Sequence, residues 1–388
     1  MQPTFHVSYL LAIRKNETIT GRIRDLQLEQ SAELPDNLVA STGMEWVTGD
    51  VTHIEELDER HVLVRIDWPC HNHGNEITQF LNILFGNISL KSGIAIVDIN
   101  WTPLFPDLFE GPSFGIQNIR NKWGIHGRAL SCSAVKPMGH NVKHLSDCAY
   151  RFALGGIDII KDDHGLASQD TAPFKVRVEQ CVRAIDRAAQ KTGHRSHYFP
   201  NITTDAYRLF ERFEMAAELG ADGVLIAPML TGPAMLHHLA RSPVDLPVMA
   251  HPAFSGTYIA DGGDHQSIAS TLSGSRHNIT GDYHGFEAGL FYGALWRALG
   301  ADFIIYPNAG GRFAYTAEAC ASINQNARST DLPFPSAFPT PGGGMQQGQM
   351  ASWLDTYGID TTFLIGGSLY EHPDGIEAAS RAFMKTIR

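Results

Sequence analysis

From about residue 129 onward the chain repeats one pattern eight times, a short apolar run followed by an amphipathic stretch with helical spacing. The apolar runs are 129–136, 157–161, 196–202, 222–228, 246–251, 302–307, 335–340 and 361–366. Between and after them lie helical patterns such as Val142–Leu154, Phe174–Thr192, Asp205–Leu219, Phe286–Leu299, Thr316–Ala327, Gln346–Tyr357 and Gly375–Ile387. Short apolar runs alternating with helices read as buried parallel strands. Glycine ends several helices, as in Leu154-Gly155-Gly156, Leu219-Gly220, Leu299-Gly300 and Tyr357-Gly358, which predicts glycine C-caps. Eight βα units in about 260 residues are the size and count of a TIM (β/α)8 barrel. The rival doubly wound sheet shows a glycine fingerprint after its first strand, whereas this chain has Val135-Lys136-Pro137-Met138-Gly139. The expected fold is therefore α/β, with a barrel over 126–388 carrying the active site. Residues 1–125 read as a smaller α+β, ferredoxin-like domain, with strands at Thr4–Leu11 and His61–Asp67 and a helix at Glu76–Leu84.

Composition narrows the function classes. Lys+Arg total 30 against 41 Asp+Glu, a formal charge of -11 that disfavours nucleic acid as the main partner. Cys70, Cys132, Cys148, Cys181 and Cys320 are scattered and form no CxxC, so neither a disulfide scaffold nor a zinc-cysteine site is expected. With no basic-apolar leader and no membrane-length apolar window, a cytoplasmic protein is expected.

In such a barrel the reactive residues lie at the C-terminal strand ends. The first strand ends in Lys136. The second ends in Lys161-Asp162-Asp163-His164, where alternation sends Lys161 and Asp163 to one side and Asp162 to the other. Three converging polar groups read as a metal or acid/base site, against the alternative of an ion pair capping a strand. Lys136 reads as a general base or acid, or as a lysine snorkelling to the mouth. His251 ends the fifth strand as a site member or a core histidine; Asn201 and Arg312 are candidate substrate contacts, and His197 reads as structural. Gly343 and Gly344 follow strand seven and Gly366 and Gly367 follow strand eight, where barrels commonly hold phosphate.

Several motifs, at these spacings, resemble the large subunit of RuBisCO. They are Phe109-Glu110-Gly111-Pro112, Gly115-Ile116, Val135-Lys136-Pro137 and Gly155-Gly156 before Lys161-Asp162-Asp163. Asn82–Asn87 with Phe85-Gly86, Leu230-Thr231-Gly232 and the two glycine loops add to them. The resemblance implies an antiparallel homodimer with active sites at the subunit interface, Asn87 being contributed by the other subunit to position metal-bound substrate. It implies that Lys161 is carbamylated and, with Asp163, holds a divalent metal such as Mg2+, while Lys136 is the base or acid acting on an enolised sugar; His251, at the strand-five position, is a further catalytic candidate. His164 stands where the family has a third carboxylate, which shifts preference toward Mn2+, Fe2+ or Zn2+, or leaves no metal held. Met138 replaces a lysine, Pro252 an arginine that grips phosphate, and Ser255 a histidine. The strand-six histidine becomes Ile305 or Tyr306, Val39 and Met44 replace an acidic residue and a threonine, and Arg312 is a loose counterpart of the mobile-loop lysine.

These departures fall on CO2 handling and on one of two phosphate grips. The expectation is a RuBisCO-like enzyme of form IV, not a carboxylase. It enolises a phosphorylated ketose or sugar acid, with isomerisation, tautomerisation, or decarboxylation or carboxyl transfer with hydrolysis as the outcome. The alternative is a homologue that binds a ligand or regulates without catalysis.

Overall fold

The computed structural model describes residues 3–260, 268 and 282–387. Its first part alternates β1 (Thr4–Ala12), a helix at Ile19–Glu29, β2 (Asp50–Glu56), β3 (His61–Pro69), a helix at Ile77–Phe85 and β4 (Ile94–Ile99). The antiparallel order β4-β1-β3-β2 is that of a ferredoxin-like βαββαβ unit. The strands β2 and β4 and the helix at 19–29 lie outside the sequence expectation. β2 is exposed along its whole length and carries no apolar alternation to read.

The remaining strands are β5 (Leu130–Val135), β6 (Ile159–Asp162), β7 (His197–Phe199), β8 (Val224–Ile226), β9 (Val248–Ala250), β10 (Gly285–Phe286), β11 (Phe303–Pro307), β12 (Phe338–Gly342) and β13 (Thr362–Leu364). Two parallel ladders, β13-β5-β6-β7 and β8-β9-β11-β12, form the barrel and are joined by a bridge from Asn201 to Leu225. β12 and β13 close it side by side, a side chain built on Gly342 starting 2.9 Å from Leu364. All eight expected barrel strands are present. Their inward residues, among them Leu130, Cys132, Ile159, Phe199, Leu225, Met249, Phe303, Ile305 and Phe338, pack into one interior cluster. Ile116 and Ile119, from a helix at Gly115–Trp123, join this cluster, and Asp302 at the start of β11 accepts from the Phe114 and Gly115 N–H groups at 3.0 and 2.8 Å. This helix forms a floor across the N-terminal end of the barrel. At the entry of β7, His197 stacks on Trp123 with ring centroids 3.9 Å apart, a packing role.

The two parts share a core. β10, from the long connection after β9, adds to the first sheet parallel to β4. Ala260, Ile268 and Tyr283 from the same connection pack with Leu10, Ala95 and Val97 on that sheet. On another side Phe80, Trp101, Phe109 and Phe334 form an edge-to-face aromatic chain, with Phe80 and Phe109 centroids 5.0 Å apart. The stretch read as an α-helix at 286–299 is π-helical over Gly289–Leu295, then α-helical over Trp296–Ala298. Gly289 and Gly293 lie against Ser322, Ile323 and Asn326 of the helix at Ala317–Arg328, too closely for any side chain.

The Gly155-Gly156 pair departs from the simple cap reading. Gly156 takes the left-handed φ of 86° that a cap requires, but Gly155 has an ordinary φ of −76°. A side chain on Gly155 would run into Ser380 Cβ and lie 3.0 Å from the Glu377 carbonyl, on the C-terminal helix at Gly375–Thr386. Gly155→Ala should therefore destabilise the fold by about 1–3 kcal/mol through overpacking, measured as a shift in urea midpoint. An unshifted midpoint would show that the C-terminal helix moves aside freely.

Candidate active site

Strand alternation builds the centre of the site. Leu130 and Cys132 on β5 and Ile159 on β6 point into the barrel, so Lys136 and Lys161, at even spacing from them, lie on the same inward side. Lys161 is 2 % exposed and donates to the Asp162 carbonyl at 3.1 Å. Among the described residues no carboxylate is ion-paired with it. Burial lowers its pKa and the nearby Lys136 charge adds to this, against the opposing pull of Cys132 and Asp163. The same amine is thus held closer to its neutral, nucleophilic form.

Asp163 behaves in the opposite sense. Burial works against its charge, but the His164 hydrogen bond and the charges of Lys161 and Lys136 prevail, holding the carboxyl well below the usual range. His164 Nδ1 lies 3.6 Å from Asp163 Oδ1, and its ring stacks on His251 with centroids 4.5 Å apart. His251 Nδ1 accepts from the Ala253 N–H at 3.1 Å, so its ring proton resides on Nε2. Enclosure, then Lys161 and His164, push the His251 pKa well below its ordinary value and keep the ring neutral. Lys136, Lys161, Asp163, His164 and His251 form one electrostatically connected cluster at the C-terminal ends of β5, β6 and β9.

Asp162 faces the other way, as alternation predicts, and organises the support beneath that cluster. It is fully buried and receives Arg177 Nε at 3.1 Å, the Tyr198 hydroxyl at 2.6 Å and the Asn201 N–H at 3.0 Å. Arg177 also donates to the Ala167 and Ala172 carbonyls at 2.7 and 2.6 Å, fastening the loop that carries His164. The Asn201 carboxamide donates to the His164 and Leu166 carbonyls at 2.9 and 3.0 Å. Its donors therefore shape that loop. Arg177 escaped the sequence reading because a buried arginine inside a helical pattern looks like one on a solvated face.

Across the mouth lie the glycine loops. The N–H groups of Gly343, Gly344, Gly366 and Gly367 donate to no acceptor among the described residues. Gly344, with φ of 129°, lies against the Gly311 backbone, where a Cβ would come 2.8 Å from Gly311 Cα. Arg312 N–H donates to the Gly343 carbonyl at 2.8 Å, so the loop after β11 is laid over the loop after β12. The Arg312 side chain is exposed, its guanidinium 5.7 Å from the centre of the Phe313 ring. A further group, missed in the sequence, is Ser368, whose hydroxyl is buried with no partner among the described residues. Lys136 Nζ lies 3.1 Å from where a side chain would begin on Gly366, and the Tyr370 hydroxyl receives the Lys136 N–H at 3.1 Å while donating to the Ala134 carbonyl at 2.9 Å. Asn87 is exposed at the start of a 3-10 turn over Asn87–Leu90, and its side chain makes no hydrogen bond among the described residues.

Residues 115–266 match the family described as "Ribulose bisphosphate carboxylase large chain, catalytic domain". Over 372 residues the chain is 32% identical to the 5-methylthioribulose-1-phosphate isomerase of Rhodospirillum rubrum, an alignment covering 95% of this chain and 92% of that one. The chain belongs to the RuBisCO large-chain family, on its RuBisCO-like branch. It is also 32% identical to the 2,3-diketo-5-methylthiopentyl-1-phosphate enolase of Geobacillus kaustophilus, over 87% of this chain and 81% of that protein. A crystal structure of a RuBisCO-like protein from Rhodopseudomonas palustris superposes with a TM-score of 0.83 at 31% identity, covering 100% of this chain and 98% of that one. Within this RuBisCO-like frame the expected barrel and N-terminal domain are present. Where the resemblance expects a phosphate-gripping arginine and a second histidine after β9, this member has Pro252 and Ser255. Among the described residues no helix is long and apolar enough to cross a membrane.

Proposed function

We propose that this chain enolises a phosphorylated ketose or sugar-acid substrate, removing a proton from the carbon next to a carbonyl without fixing CO2. The observation that carries the reading is the approach of Lys136 Nζ to the Gly366 loop, at 3.1 Å from a side chain's starting point there. A phosphate received by the free N–H groups of Gly343, Gly344, Gly366 and Gly367, with the Ser368 hydroxyl, would bring the adjoining carbons to that amine. Lys136 then moves the carbon-bound proton. His251 Nε2–H is a neutral donor for the oxygen on which negative charge develops. Isomerisation or tautomerisation accords with the activities for which the two relatives are named; decarboxylation or carboxyl transfer of a sugar-acid phosphate uses the same enolising step. Exchange of the substrate's carbon-bound hydrogen in D2O, with no incorporation of labelled CO2, tests the reading.

The donor set fits a divalent metal on one condition. Among the described residues no three His, Cys, Asp or Glu side chains converge as a metal site. Asp163, held anionic, and His164 supply two donors, and Lys161, buried and ion-paired with no carboxylate among the described residues, completes the set as a carbamate. Such an ion would polarise the substrate carbonyl; Mg2+ suits the oxygen donors, while His164 favours Mn2+, Fe2+ or Zn2+. Mn2+ binding followed by electron paramagnetic resonance should tighten by about 10-fold or more with bicarbonate, and Lys161→Ala should abolish the bicarbonate effect. Equal affinity with and without bicarbonate would remove the carbamate from the proposal.

Pro252 occupies the place of the second phosphate grip and offers no donor. A substrate with one phosphate follows. Calorimetry should show a ketose monophosphate binding at least as tightly as the corresponding bisphosphate; tighter bisphosphate binding contradicts this. The exposed Asn87, without a side-chain hydrogen bond among the described residues, accords with a homodimer in which it completes the neighbouring site. Five buried, unpaired cysteines accord with the reducing cytoplasm.

A further inference from the structure

The segment after His251 contains an ordered series of hydroxyl groups. Ser255 is fully buried, and its Oγ lies 2.5 Å from the Pro252 carbonyl oxygen and 2.7 Å from the Tyr292 hydroxyl. A contact that short to a carbonyl requires the serine proton between the two oxygens, so Ser255 donates to Pro252. Tyr292, buried in the π-helix, must then donate to Ser255, since a hydroxyl has one proton. By the same count Tyr315, whose hydroxyl is 3.1 Å from that of Tyr292, donates to Tyr292. The Pro252 carbonyl belongs to the same peptide unit as the Ala253 N–H, which donates to His251 Nδ1 at 3.1 Å. Phe254, with the left-handed φ of 67°, forms the turn that returns Ser255 beneath that peptide.

We infer that Tyr315, Tyr292 and Ser255 are positioning residues that hold His251 in its Nε2-protonated tautomer and couple it to the loop after β11. The relay runs Tyr315 O–H, Tyr292 O–H, Ser255 O–H, Pro252 C=O, Ala253 N–H and His251 Nδ1, each donor strengthening the next by polarisation. Its far end, Tyr315, lies three residues from Arg312, whose N–H rests on the Gly343 carbonyl beside the glycine cradle. A change in the loop over the cradle therefore reaches the histidine through oriented hydrogen bonds. None of the three hydroxyls needs to touch substrate.

Only the kinetic arm of the test rests on the enolisation reading. In protein with 15N-labelled histidine, His251 resonances are assigned by their loss in His251→Gln. Nδ1 should show the shift of an unprotonated nitrogen and Nε2 that of a protonated one. The surface-proximal Tyr315→Phe and the buried Tyr292→Phe and Ser255→Ala should each move these shifts toward a mixture of tautomers. Each should also lower kcat about tenfold while changing KM less than twofold, a loss of one charge-directing hydrogen bond. A wild-type His251 protonated on Nδ1 overturns the inference whatever the reaction proves to be. So does an unmoved His251 spectrum in both Tyr315→Phe and Tyr292→Phe. If the spectra behave as expected but no substrate shows hydrogen exchange, the relay stands and the enolisation reading fails.

Discussion

Lys136→Ala should slow exchange of the substrate's carbon-bound hydrogen with D2O by about 100- to 10,000-fold, the range set by loss of a general acid–base group. The argument is one of position. The amine lies beside the Gly366 loop and is electrostatically coupled to Asp163 and Lys161. The backbone at Lys136 is clamped by Tyr370, which receives its N–H and donates to Ala134. Truncation removes the amine to which we assign the proton transfer, while the glycine loops, built of backbone, are untouched. Substrate binding should therefore weaken far less than turnover, and proton NMR of the substrate in D2O reads the two separately. Wild-type exchange in the Lys136→Ala variant would sink the assignment and transfer the role to another group, His251 being nearest in chemistry.

Arg177→Met should cost about 3–5 kcal/mol of stability, the range for breaking a buried ion pair by removing one partner. Arg177 and Asp162 are both fully buried, and their contact is 3.1 Å. Without the guanidinium, the donors left to the Asp162 carboxylate among the described residues are Tyr198 and the Asn201 N–H, and the Ala167 and Ala172 carbonyls lose the Arg177 bonds. Urea denaturation measures the loss; a change under about 1 kcal/mol would mean that water or a rearranged loop replaces the cation. The double variant Arg177→Met with Asp162→Asn should recover part of the stability, because the uncompensated charge is then gone. In either variant the loop from Asp163 to Ala172 loses fastening, so affinity at the metal site we propose for Asp163 and His164 should fall as well.

How far the site could be read from the chain differs residue by residue. A strand has a period of two, which places Lys161 and Asp163 on one face and Asp162 on the other, and the structure keeps that division. The glycine loops were legible because their place after the last two strands follows from the repeat. Asn201, in contrast, was expected at the substrate, and its carboxamide is engaged by the His164 and Leu166 carbonyls. Nothing local distinguishes the two roles, since both need an amide at a strand end. Ser255 and Tyr292, 37 residues apart, meet at 2.7 Å where the π-helix packs beside the β9 loop, a contact with no local signal in the chain.

By itself the sequence determined the eightfold strand–helix alternation, and with it the barrel and the end at which reactive groups gather. Periodicity is local and survives translation into geometry. It also determined the family, through the residues around Lys136 and Lys161. Only the tertiary structure decided which side chains are occupied in holding the loops and which remain free for chemistry. It joined the connection after β9 to the first sheet, placed Arg177 under Asp162, and set Lys136 beside Gly366. These are contacts between residues 15 to 230 positions apart. Their energies depend on burial and on which hydrogen-bond partners are already taken, quantities that exist only once the chain has packed.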